Sequence, residues 1–201
     1  TCDLSVRLMD CTLGDFLPDP KTPAFEKELK QMSAHLDINI DSCRARVQQL
    51  FSANPLLGFH GARLSIVYPE VTEMQIKAIV GAAVELNRRN FIALPQIILP
   101  GLVNELEVER ATSIISTVSD NVCAKAWTDS SFEQRYLHSR VGCMLATPRA
   151  CVQAANLGRS KHIKEVLFDT DVLTSLVMGM DRDDSHNFVV SILPFMSMQR
   201  N

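Results

Sequence analysis

Residues 57–86 read LGFHGARLSIVYPEVTEMQIKAIVGAAVEL and join two different patterns. The first half, 56–66, sets glycines at 58 and 61 among apolar residues, which predicts a buried strand and its exit. Tyr68-Pro69-Glu70-Val71 follows. Thr72-Glu73-Met74-Gln75 then has the form of a capping box: a hydroxyl for an orphan helix N–H, and a glutamine three residues on to reach back. Apolar residues at Ile76, Ile79, Val80, Ala83 and Val84 give the predicted helix one buried stripe. By periodicity alone the stretch is a strand followed by an amphipathic helix.

Working outward, the N-terminal run Leu4–Asp10 alternates apolar and polar residues and suits a strand, with Asp10 at its exit. Pro18, Pro20 and Pro23 mark an irregular crossing. Thr22-Pro23 reads as the N-cap and first position of a helix whose face is Phe25, Leu29, Met32 and Leu36. A second helix is expected over 41–53, with Cys43, Val47 and Leu50 inward. Beyond the central stretch, 90–100 (NFIALPQIILP) is a short apolar run bounded by prolines, a buried strand by length and content. Residues 103–126 read as a helix with Leu106, Ile114, Ile115, Val118 and Val122 inward, and 127–139 as a polar, aromatic loop. A strand is expected over 140–147, a helix from Pro148, a strand over 164–168 and a helix through Met180. The last stretch holds one apolar run, FVVSILPF. About five strands alternating with helices predict an α/β fold with parallel strands in one domain, residues 1–201. A complete eightfold barrel takes about 250 residues, so the expectation is a partial TIM-type (β/α) barrel.

The composition is that of an ordinary globular protein, 46% hydrophobic and 21% charged. A net charge of −3 gives no electrostatic footprint for nucleic acid. The longest apolar run, around 92–102, is interrupted by Pro95 and Pro100, so no membrane span is expected. The start, TCDLSVRLMD, lacks the basic n-region and apolar core of a signal peptide. Six cysteines are scattered without a C-x-x-C pair, which favours reduced thiols and an intracellular location, cytoplasmic or organellar. The five histidines are too far apart in sequence to suggest a metal site on one element.

The central stretch also resembles the C-terminal barrel of pyruvate phosphate dikinase, a PEP-utilising enzyme whose pattern is L-G-x-R-G-x-R-L-x-x-x-Y-P-E-x-T-E-M-Q. The resemblance runs from about Val6 to Asp184. VRLMDCTLGDFLP (6–18) is similar to the family's I-R-L-L-D-P-P-L-H-E-F-L-P. It puts Arg7 on an arginine that holds the phosphoryl group of phosphoenolpyruvate, a task suited to a planar, two-pronged donor. His60 stands where the family has its second phosphate-binding arginine, and Arg63 matches a further arginine read as structural. PQIILPG (95–101) resembles P-E-I-M-V-P, with Gln96 for glutamate. VGCMLATPRA (141–150) resembles V-G-T-M-I-E-I-P-R-A, keeping Met144 and Arg149 but with Ala146 at a magnesium-binding glutamate. FDTDVLTSLVMGMDRDD (168–184) resembles F-G-T-N-D-L-T-Q-M-T-F-G-x-x-R-D-D, with Asp171 for the asparagine and Val172 for the second magnesium-binding aspartate. The cysteine that acts as the family's general acid/base has no counterpart among the six here.

The resemblance therefore implies inherited substrate positions at Arg7, His60, Met144 and Asp171, no catalytic residue and no metal ligand. Magnesium is the family's cofactor; none is expected here. The reading that follows is a degenerate phosphoenolpyruvate/pyruvate-binding domain, catalytically inactive and kept as a structural or interaction module. The alternatives are a fragment of an active dikinase, a phosphotransferase, and a non-catalytic binder of a small anion. A new metal site from Asp169 and Asp171 competes with a plainer reading, an N-cap and a first-turn acid. A sheet of five strands leaves two open edges, which invite a protein partner or self-association. Phosphoenolpyruvate or pyruvate is expected to bind weakly if at all.

Overall fold

The computed structural model describes residues 2–51, 58–126, 140–188 and 190–191. The loop expected over 127–139 and most of the run FVVSILPF lie outside these residues, as does the beginning of the strand expected over 56–66. Four parallel strands form one sheet in sequence order: β1 (Cys2–Arg7), β2 (Ala93–Leu99), β3 (Arg140–Leu145) and β4 (Ile163–Phe168). Each pairs with its neighbour in sequence, with Val6 opposite Ile97, Ile97 opposite Val141, and Cys143 opposite Val166. Parallel neighbours need crossovers, and helices provide them. The described sheet thus has the arrangement of a partial (β/α) barrel, with four strands where about five were expected.

The strand expected at 56–66 is not among the described strands, and residues 61–66 of it are helical: α3 covers Gly61–Val67. Gly61 makes the difference. It sits at φ +58, a left-handed conformation open to glycine at little cost, and turns the chain from extended His60 into the helix. Ala62 and Leu64 are buried, as a helix face rather than a strand face. Pro69 then ends α3 and opens α4 (Pro69–Arg88) at its first turn, with Tyr68 held out of the helical region before it. The capping box at Thr72 does not form as such, because α4 already runs through it and Thr72 is buried. Gln75 takes a different partner: its Oε1 accepts from the Met9 backbone N–H at 2.7 Å while its Nε2 donates to Val71 O at 3.2 Å. It ties the exit of β1 to α4.

The main core lies between the sheet and α4 with α5 (Glu105–Ala126). Ile76, Val80 and Val84 of α4 meet Ile97, Leu99, Val108, Ile115, Cys143 and Leu145, all buried. Leu106 falls outside this stripe and is exposed, because the buried face of α5 runs through Val108, Ala111, Ile115 and Val118. A buried Asn87 closes the end of α4 onto β2, donating to Ala83 O at 2.7 Å and Ala93 O at 3.1 Å. A smaller cluster, Phe25, Leu29, Cys43 and Val47, joins α1 (Phe25–Leu36) to α2 (Ile40–Leu50). Helix α1 begins three residues after Thr22, whose hydroxyl instead donates to Asp19 O, and Leu36 is exposed. After β3 come α6 (Pro148–Val152) and α7 (Ala154–Arg159); after β4 come α8 (Thr170–Met178) and the short α9 (Arg182–Ser185).

Because all four strands are parallel, their C-terminal ends open on one side. Arg7, Leu99, Leu145 and Phe168 end the strands there, and the segments that follow each strand build the pocket described next.

Candidate functional site at the strand ends

A cavity of about 420 Å³ is lined by Arg7, Asp10, His60, Arg63, Gly101, Val103, Ala146, Thr147, Asp169 and Val172. Arg7 is the last residue of β1, and Asp10 follows on the exit. His60 and Arg63 arrive with the start of α3. Ala146 and Thr147 follow β3, where Thr147 caps α6 by accepting from the Ala150 N–H at 3.2 Å. Asp169 follows β4 and caps α8, accepting from the Val172 N–H at 3.2 Å.

Asp10 organises the charged side. One carboxylate oxygen lies 2.7 Å from His60 Nδ1 and the other 3.7 Å from Arg7 Nη1. The Asp10 and His60 side chains are only 14% and 19% exposed, while Arg7 is half exposed, so the guanidinium stands at the mouth. Arg7 Nη1 also lies 3.9 Å from the sulfur of Met144 on β3. Two glycines let these segments meet. A Cβ on Gly61 would fall 2.9 Å from the Asp10 carboxylate, 3.1 Å from Pro100 O and 3.2 Å from the Gly101 Cα. Gly101 itself has φ +63.

Of the residues singled out in the sequence, Arg7 and His60 share this cavity and Met144 packs against Arg7. Asp171 lines a separate cavity of about 280 Å³ with Thr174, Ser175, Met178, Met180, Asp181 and Ser185. The separation has a helical cause. Asp169 is the N-cap and Thr170 the first residue of α8, so Asp171 and Val172 diverge by helical rotation, not by the alternation of a strand end. Asp169 and Asp171 have the positions of the plainer reading, a cap and a first-turn acid. Asp10 and Thr147 were not among the sequence candidates. Asp10 was legible only as a residue at a strand exit, and its partners come from elements remote in sequence.

The donor set can be tested against magnesium, which takes hard oxygen ligands with one or two carboxylates among them. Ala146 and Val172 offer no side-chain oxygen, although both line the cavity. Its two carboxylates are engaged: Asp10 by His60 and Arg7, Asp169 by the start of α8. Two guanidinium groups, Arg7 and Arg63, face the same space and would repel a cation. Among the described residues, no group of three or more His, Cys, Asp or Glu is arranged to hold a metal ion. At the two positions that the resemblance assigns to metal ligands, the described residues do not fit magnesium.

The model of the PEP-utilising enzyme, PEP-binding domain family matches residues 4–198. The chain is 33% identical over 186 residues to pyruvate, phosphate dikinase of Giardia intestinalis, covering 92% of this chain and 20% of that protein. It is 32% identical over 186 residues to the chloroplastic pyruvate, phosphate dikinase of Flaveria trinervia, again 92% of this chain and 18% of the relative. A chloroplastic form from Arabidopsis thaliana is 31% identical with the same coverage. The chain therefore spans about a fifth of the length of these relatives. With a parallel sheet, a pocket at its strand ends and a match along nearly its whole length, this chain belongs to the PEP-binding domain family of PEP-utilising enzymes.

Proposed function

We propose that this chain is a catalytically inactive PEP-binding domain, kept as a structural or interaction module. One observation carries the reading: the strand-end cavity is lined by Ala146 and Val172 where the family resemblance calls for metal-binding carboxylates. Phosphoryl transfer needs charge stabilisation at the reacting oxygens, and a bound cation is the usual means. Here the remaining carboxylates neutralise cations or cap a helix. The interaction role is supported by the sheet edges. β1 and β4 each have one neighbour in the described sheet, and an apolar groove of about 690 Å³ lies beside β1, where Leu4, Leu86, Phe91 and Ile92 are exposed. Open apolar edges favour pairing with another chain. The free thiols of Cys11, Cys43, Cys123, Cys143 and Cys151 are consistent with an intracellular setting. No described helix is long and apolar enough to cross a membrane. The test is magnesium-dependent phosphoryl exchange between phosphoenolpyruvate and a phosphohistidine carrier. None is expected; measurable exchange by the purified chain would refute the proposal.

A second reading, a non-catalytic binder of a small anion, is favoured by Arg7, His60 and Arg63 lining one cavity. A third, that the chain is a working part of a longer dikinase, draws on its coverage of about a fifth of the relatives. Added segments would not restore side-chain oxygens at 146 and 172, so the inactive reading applies there too.

A further inference from the structure

Arg7, Asp10 and His60 form a triad in which one carboxylate is shared by two cationic partners, one of them titratable. Among the described residues, each element brings its own charges to the cavity. β1 and its exit bring Arg7 and Asp10, the start of α3 brings His60 and Arg63, and the start of α8 brings Asp169. The segments after β2 and β3 contribute only Gly101, Val103, Ala146 and Thr147, which carry no charge. Among the described lining residues, with a neutral imidazole, the formal charges of Arg7, Arg63, Asp10 and Asp169 sum to zero; Arg63 also donates to Gly58 O at 3.1 Å. A proton on His60 adds one positive charge to these lining residues and turns the 2.7 Å Asp10–His60 contact into an ion pair, so that the single Asp10 charge is divided between the ring and Arg7.

We propose that this cavity is a proton-gated oxyanion site, taking a small phosphoryl-type anion when His60 is protonated and releasing it when His60 is neutral. The inference rests on the anion-binding reading and adds its regulation. It comes from His60 itself: an arginine would hold its charge at every physiological pH, whereas an imidazole gains or loses it between about pH 5 and 8. Binding is then coupled to uptake of one proton. A charge-assisted hydrogen bond gained or lost corresponds to about one to two decades in affinity.

Sulfate is a suitable probe, since its charge is fixed across the pH range of interest. Calorimetric titration of the whole chain with sulfate from pH 5.5 to 8, in two buffers of different ionisation heat, reads both affinity and proton uptake. The expected result is sulfate binding roughly tenfold or more tighter at pH 5.5 than at pH 8, with about one proton taken up near the midpoint. His60→Arg should bind at both pH values with no proton uptake, and His60→Gln should bind weakly at both. In the wild type, the His60 imidazole resonance should titrate at higher pH when sulfate is present, a readout that needs no variant. A pH dependence retained in His60→Gln, or a His60 titration indifferent to sulfate, would overturn the gate while leaving an anion site. Absence of sulfate binding at every pH would overturn both the gate and the binder reading, without bearing on phosphoryl exchange.

Discussion

Replacing Gly61 by alanine probes the joint on which the pocket is built. Two costs add. The backbone at φ +58 puts an L-residue in the left-handed region, worth about 1–2 kcal/mol. The new methyl would sit 2.9 Å from the Asp10 carboxylate, 3.1 Å from Pro100 O and 3.2 Å from the Gly101 Cα. Two of those neighbours are backbone and cannot swing aside, so overpacking adds about 1–3 kcal/mol. The total is about 2–5 kcal/mol, and at this chain length a melting point lower by roughly 4–20 °C. Gly81→Ala is the internal control. Gly81 lies inside α4 with nothing within 4 Å of its would-be Cβ. Alanine there should be neutral or stabilising by up to about 1 kcal/mol. Thermal and urea unfolding of the two variants beside wild type makes the comparison. Equal stabilities for Gly61→Ala and wild type, or equal losses in both variants, would refute the reasoning.

Gln75→Leu removes the acceptor for Met9 N–H and the donor to Val71 O, and should cost about 1–2 kcal/mol while speeding amide hydrogen exchange at Met9. Burial pushes the Cys143 thiol up to about 11, so it should resist alkylation at pH 7.5 until the protein unfolds, while the partly exposed Cys151 reacts in the native state; mass spectrometry of the modified peptides reads the order. The folded pKa lies above the ordinary thiol value of 9.0, so stability from this group is intact below about pH 9 and is lost as pH rises through about 11. Cys143→Ala should lessen that alkaline loss in parallel unfolding curves. Light scattering of the purified chain should find self-association through the exposed strand edges or, when copurified, a bound partner; a monodisperse monomer on its own would count against the interaction role.

Much of the fold was readable in the residues because several elements carry unambiguous punctuation. The run NFIALPQIILP is short, apolar and bounded by prolines, and its part 93–99 forms β2 while Phe91 and Ile92 before it are exposed; Pro148 after Thr147 marks a helix start that the Thr147 hydroxyl does cap. The strand expected over 56–66 misled at 61–66 because glycines among apolar residues suit a strand exit and a helix entry alike. What separates them is the sign of one φ angle, at Gly61, which follows from the approach of Gly101 and Asp10. Thr72 and Gln75 matched a cap by spacing, yet Pro69 supplied an earlier start and the Met9 N–H a partner for Gln75 that local spacing does not encode. The meeting of Arg7 and His60 followed from family resemblance and from no periodicity. Asp10 was hidden because its role depends on a residue 50 positions away.

The central claim is that the strand-end cavity cannot seat the cation its family uses. Titrating the chain with magnesium, and with manganese followed by electron paramagnetic resonance, tests it directly at millimolar metal with phosphoenolpyruvate present. The account predicts no saturable site in the cavity and spectra unchanged by Asp10→Asn or Asp169→Asn. One equivalent of bound metal, lost in either of those variants, would contradict it.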